Sequence, residues 1–202
     1  MKILINSFFF LIAVCGLAQE NPLVNIENYG GLYVYEVRYA TTNNFLKEKV
    51  YDCETCLLLP EVAQALSAAN QDFCELGYKI KFYDCYRPLS VQKKMWEIYP
   101  NPRYVGNPNK SGSIHNRGAA IDMTIVTLDD KYLDMGSDYD FFGKEAHLNY
   151  PHSDTIQKNR KLLWDIMKKN GFSPISSEWW HFNYDAKNYG LPVMDIPLDC
   201  DN

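Results

Sequence analysis

The sequence predicts an α+β fold, a mostly antiparallel central sheet with helices packed on it. Three observations carry that expectation. Segments of two-residue alternation and segments of helical spacing follow one another in mixed order. The connections between them are short. No internal repeat, low-complexity tract or linker divides the chain, so residues 19–202 are expected to form one domain.

The first 18 residues stand apart as a secretory signal peptide. Met1-Lys2 is a short basic start, Ile3 to Leu17 is apolar apart from Asn6-Ser7, and Gly16 and Ala18 put small residues at the −3 and −1 positions of a cleavage site. The apolar run is too short to span a bilayer. An exported protein, periplasmic or secreted, with no integral span in the mature chain is therefore expected. A lipidated Cys15 is the weaker alternative, because bulky Val14 precedes it.

The elements follow in order. Tyr33 to Tyr39 alternates as a strand. Pro60 opens a helix whose apolar positions Val62, Leu66, Ala69, Phe73 and Leu76 keep helical spacing, and Gly77 stops it. Tyr78 to Asp84 alternates again, with Ile80 and Phe82 on one face and Lys79 and Lys81 on the other. Leu89 to Tyr99 reads as a second helix ended by Pro100, and the Asn-, Pro- and Gly-rich stretch to Gly112 as a loop. Ala120 to Val126 is a strand, Gln157 to Asn170 a third helix closed by Gly171, and Trp179 to Tyr184 a late strand.

Loss of the leader leaves 184 residues with 25 acidic and 19 basic side chains. Mild acidity without basic clusters argues against nucleic-acid binding. Five cysteines remain: Cys53, Cys56, Cys74, Cys85 and Cys200. Cys53-x-x-Cys56 has no second such pair and no nearby histidine to complete a metal set. Disulfides suit an oxidising compartment, the odd count leaves at least one thiol unpaired unless it pairs between chains, and the pairing stays open.

Three short stretches carry chemistry: Tyr86-Arg87-Pro88, Ser113-x-His115-x-x-Gly118-x-Ala120-x-Asp122, and Glu178-Trp179-Trp180-His181. They supply two of the four histidines, an aspartate, a glutamate and an arginine. A catalytic zinc commonly takes three N/O ligands and leaves a fourth position to water, with a carboxylate outside the ligand set as general base. On its strand, Asp122 faces away from the stripe Ile121, Met123 and Ile125. Gly118 permits a tight turn that could bring His115 back toward it. Glu178 and His181, three apart, would face opposite ways on a regular strand, so the glutamate must sit where the strand begins irregularly if both reach one site. Arg87, held extended before Pro88, could stabilise an oxyanion or simply pair with Asp84.

Phe82 to Pro88, Ser113 to Asp122 and Glu178 to His181 resemble the signatures of the zinc D-alanyl-D-alanine dipeptidases, within the wider zinc D,D-peptidase and Hedgehog-type fold. Tyr39 to Phe45 and Leu133 to Phe141 are similar to further segments of that family, and the resemblance runs from about Tyr35 to Tyr184. It implies one zinc per chain on His115, Asp122 and His181, with Glu178 as general base and Arg87 on the oxyanion. It also implies Ser113 at the substrate carboxylate, Tyr39 and Asp140 at its ammonium, and Asp84 orienting its neighbours. D-Ala-D-Ala or a related dipeptide is the implied substrate. A D,D-carboxypeptidase of the same fold and a non-catalytic zinc-containing binding module are the alternatives. Cys85 departs from the family's usual glycine, and export departs from the family's cytoplasmic members.

Overall fold

A computed structural model describes residues 21–184 and 190–200; the expected signal peptide and Cys15 lie outside the described residues. In chain order the strands are β1 (Val24–Asn25), β2 (Tyr33–Tyr35), β3 (Leu57–Leu58), β4 (Tyr78–Asp84), β5 (Ala120–Thr127), β6 (Phe172–Ile175) and β7 (Glu178–Tyr184). Three helices accompany them, α1 (Pro60–Glu75), α2 (Leu89–Ile98) and α3 (Asp154–Lys169). The main sheet runs β2-β4-β5-β7-β6, and β1 pairs with β3 in a small second sheet. Among the described residues only the β2–β4 pairing is parallel, so the expected mostly antiparallel α+β architecture is what forms.

Helix α1 begins at Pro60, whose missing N–H costs nothing in the first turn, and ends before Gly77 at φ 86°. Its stripe Val62, Leu66, Ala69 and Phe73 is wholly buried. Burial of each larger side chain in that stripe contributes about 1.5–3 kcal/mol. α1 packs on β4 and α3, and α3 packs on β6. Ile80 and Phe82 from β4 and Ile121, Met123 and Ile125 from β5 complete the core.

One expectation needs correction. The strand from Tyr33 stops at Tyr35, and Arg38–Ala40 is a 3-10 turn. The alternation is real, but the Tyr39 carbonyl accepts the N–H groups of Val50 and Tyr51 instead of joining the sheet. That turn delivers the Tyr39 side chain to the site described below. Lys81, on the polar face of β4, is buried, because Glu36 pairs with its ammonium and the Tyr132 ring covers it.

Among the described residues the cysteines pair as Cys53–Cys200 and Cys56–Cys85, and Cys74 is the free thiol. The two members of Cys53-x-x-Cys56 thus go to different partners.

Candidate metal centre

Asp84, Asp122 and His181 lie in one row across the three central strands: Asp84 is registered with Asp122, and Asp122 with His181. Period-two alternation puts this row on the face opposite Ile121 and Met123. His115 reaches the row from outside the sheet. It starts a 3-10 turn, His115–Arg117, closed by Gly118 at φ 66°. A Cβ at Gly118 would also meet Leu23 at 2.6 Å, so both conformation and space call for glycine there.

His115 Nε2, His181 Nδ1 and Asp122 Oδ1 converge. The separations are 3.2 Å between the ring nitrogens, 2.9 Å from His181 to the aspartate and 3.3 Å from His115 to it. The outer nitrogens are already committed. His115 Nδ1 donates to the Cys85 carbonyl at 2.7 Å, and His181 Nε2 donates to Asn183 Oδ1 at 2.9 Å. Each neutral ring therefore turns a bare lone pair inward. Two lone pairs and a carboxylate oxygen so close repel one another unless a cation lies between them, a proton on His181 Nδ1 when metal is absent or a metal ion in its place. Donors 2.0–2.2 Å from a tetrahedral ion stand roughly 3.3 Å apart, which matches the triangle. The residues fit a small divalent metal, and this is the one His/Cys/Asp/Glu cluster of that kind among the described residues.

Charge follows the same geometry. Burial alone would raise the Asp122 carboxyl, yet the two imidazoles hold it well below its ordinary value. Burial would lower His181, but without metal the hydrogen bond and charge of Asp122 more than offset it, and its pKa rises to about 9.

Glu178 stands beside the triangle, its Oε2 3.9 Å from His181 Nδ1. It reaches that side because β6 and β7 slip register: Pro174 faces Phe182, while the next residue, Ile175, faces Glu178. The irregular strand start that the spacing demanded is present. Burial raises the Glu178 carboxyl, with His181 pulling against it. Glu178 and Trp180 line a cavity of about 100 Å³ together with Tyr104 and Phe142. That is well below the ~300–1,000 Å³ of sites for drug-sized ligands. None of the three converging residues lines this cavity, nor the larger ones beside α3 and beside residues 191–196.

On the other flank Asp84 Oδ2 lies 3.8 Å from His115 Nδ1 and accepts Arg87 Nε at 3.0 Å. The plain ion pair that spacing allowed for Arg87 is there, and it is buried. Gln92 Oε1 accepts Arg87 Nη1 at 2.9 Å, and Tyr51 donates to Asp84 Oδ1 at 2.7 Å. The guanidinium stands 5.2 Å from the centre of the Tyr39 ring, and the Tyr39 hydroxyl donates to Asp140 Oδ2 at 2.9 Å. Asp140 adopts φ 56°, a left-handed conformation unusual for a residue with a Cβ. Burial and the charge of Asp122 push its carboxyl well above the ordinary range. Ser113 sits at the margin, its Oγ accepting the His115 N–H at 3.3 Å.

Several supporting residues carry roles that the motifs do not assign. Tyr139 donates to Asp122 Oδ2 at 2.9 Å, and Asn183 and the Cys85 carbonyl fix the two imidazoles. Asn183 follows His181 by two on the same face of β7, a spacing that the strand pattern contains. Nothing local in the sequence points from Tyr139 to Asp122.

Two histidines and a carboxylate on an α+β sheet, with a glutamate beside them, define a metallopeptidase type of centre. Comparison with known proteins narrows this. The family model described as D-Ala-D-Ala dipeptidase, peptidase family M15, matches residues 19–199. A D-alanyl-D-alanine dipeptidase of Escherichia coli K12 is 37% identical over 167 residues, 82% of this chain and 85% of that protein. One from Enterococcus faecium is 30% identical over 186 residues, 81% and 92% of the two chains. A solved structure of a vancomycin-resistance D,D-pentapeptidase with Zn(II) aligns at TM-score 0.42 and 15% identity, covering 69% of this chain and 82% of that one, a likeness too distant to argue from. The chain belongs to the D-Ala-D-Ala dipeptidase family of M15 metallopeptidases.

Proposed function

We propose that the protein is an exported, zinc-dependent dipeptidase that hydrolyses D-Ala-D-Ala, or a closely related dipeptide, derived from the cell wall. The observation that carries this is the inward convergence of His115 Nε2, His181 Nδ1 and Asp122 Oδ1, with both outer ring nitrogens already satisfied. One zinc per chain suits that N/O donor set, and when bound it supplies a Lewis acid and acidifies water.

The chain's own groups account for the rest. Glu178 accepts a proton from the water that adds to the scissile carbonyl carbon. It returns the proton to the departing amine as the C–N bond breaks, giving two free amino acids. Its raised pKa suits a group that must both take and give a proton. Arg87 donates to the oxyanion developing on that carbonyl, and Asp84 and Gln92 hold the guanidinium in one orientation. Asp140, with the Tyr39 hydroxyl, receives the substrate ammonium; a half-buried carboxylate gains a cationic partner when the dipeptide binds. Ser113 helps hold the substrate carboxylate.

Export is supported by the basic, apolar and small-residue pattern of residues 1–18 and by two disulfides, which persist where the surroundings are oxidising. The mature chain, residues 19–202, is read as one domain. No helix among the described residues is long and apolar enough to cross a membrane.

The test is hydrolysis of D-Ala-D-Ala by the purified mature chain, followed through chelation and zinc re-addition. Activity that disappears and returns supports the reading. Full activity in the chelated, zinc-free protein contradicts it.

A further inference from the structure

Asp122 and His181 are placed by the sheet ladder, opposite each other on β5 and β7. His115 has no such support. Its ring is aimed by the Cys85 carbonyl, and its backbone carbonyl accepts the Arg87 N–H at 3.1 Å. Residues 85–87 themselves lie beyond the end of β4, whose pairing with β5 stops at Asp84 after an irregular step. Past that point the segment is fastened instead to the β3 region. Cys85 is bonded to Cys56, and Tyr86 N–H donates to the Leu57 carbonyl at 3.1 Å. The same β3 region holds the far end of the His115 turn, where Leu59 N–H donates to the Gly118 carbonyl at 3.0 Å.

We infer that the Cys56–Cys85 disulfide is a positioning element of the metal centre. It takes the place of the missing sheet ladder and holds the Cys85 carbonyl where it fixes the tautomer and direction of His115. Outer partners of metal-bound histidines typically change metal affinity 10–100-fold. The second disulfide, Cys53–Cys200, closes a far longer loop, with a sequence separation of 147 against 29. Loop-closure entropy therefore makes Cys53–Cys200 the larger contributor to stability. Metal affinity and thermal stability should then depend on different disulfides.

The inference rests on the zinc reading above, and one experiment separates the two. Zinc affinity by chelator competition, the visible spectrum of the Co(II)-substituted protein and Tm are measured for three full chains: unaltered, Cys56→Ser/Cys85→Ser and Cys53→Ser/Cys200→Ser. The first pair of substitutions should weaken zinc roughly 10–100-fold and alter the cobalt spectrum. The second pair should give the larger fall in Tm with zinc affinity and cobalt spectrum unchanged. If Cys56→Ser/Cys85→Ser does not fold, reduction of the folded Cys53→Ser/Cys200→Ser protein cuts the same bond and should give the same loss. Equal zinc affinity with and without the Cys56–Cys85 bond, or an equal loss in both variants, overturns the inference. An unaltered chain that takes up no zinc overturns the zinc reading beneath it.

Discussion

The Tyr139 hydroxyl donates to Asp122 Oδ2 at 2.9 Å, which leaves Oδ1 to face the two imidazoles. Tyr139 is itself fixed by stacking on Tyr83, with ring centres 4.6 Å apart, and by an edge contact with Trp180. Tyr139→Phe keeps the ring packing and removes only the hydrogen bond. Zinc affinity should fall about 10–100-fold while the fold persists. Chelator competition reads this directly, and unchanged affinity would show that Asp122 needs no such orientation.

Metal uptake should release a proton. Without metal, His181 has its pKa raised to about 9, so at neutral pH the imidazole is protonated between Asp122 and Asn183. Ligation requires Nδ1 bare. As pH falls below about 9, apparent zinc affinity should therefore fall by roughly tenfold per unit. Titration calorimetry in buffers of differing ionisation enthalpy should show about one proton released per zinc at neutral pH. A heat independent of the buffer would contradict this.

Glu178→Gln separates base from ligand. The side chain lies 3.9 Å from His181 but outside the converging triangle. The variant should bind zinc normally and lose about 10²–10⁴-fold in kcat. Zinc loss in this variant would make Glu178 a ligand, and near-normal turnover would mean that another group activates the water.

Arg87→Ala should have two separable effects. Removing a buried partner of Asp84 costs roughly 3–5 kcal/mol of stability at most, softened because Tyr51 and the Cys85 N–H still donate to that carboxylate. Assayed well below Tm, kcat should also fall about 10²–10³-fold, with little change in KM, if the guanidinium stabilises the oxyanion. A rise confined to KM would make Arg87 a substrate anchor.

Much of this was legible in the sequence where one signal decided one element. Strand β4 runs from Tyr78 to Asp84 as its alternation predicts, and Pro60 and Gly77 mark the ends of α1. The Gly118 turn and the irregular start of β7 also follow from local chemistry. Features that depend on distant partners were not readable. Tyr33 to Tyr39 has the pattern of a strand, but hydrogen bonds from residues 50–51 take Tyr39 out of the sheet. Lys81 is buried only because Glu36 and Tyr132 come to it. The pairing of Cys56 with Cys85 and the support of Asp122 by Tyr139 join segments that spacing alone cannot connect. Strands β1 and β3, two residues each, are too short to show a period.

On the proposed function, Asp140 and Tyr39 receive the ammonium of a free dipeptide. The most direct measurement is kcat/KM of the zinc-loaded mature chain for free D-Ala-D-Ala against its N-acetylated form. Acetylation removes the cation and leaves Asp140 with only the neutral Tyr39 hydroxyl, a cost of a few kcal/mol, or about 10²-fold and more in kcat/KM. An ammonium site at Asp140 predicts efficient cleavage of the free dipeptide and a loss of at least that order on acetylation. Equal cleavage of the two would contradict it and make the chain a D,D-carboxypeptidase with an open-ended site.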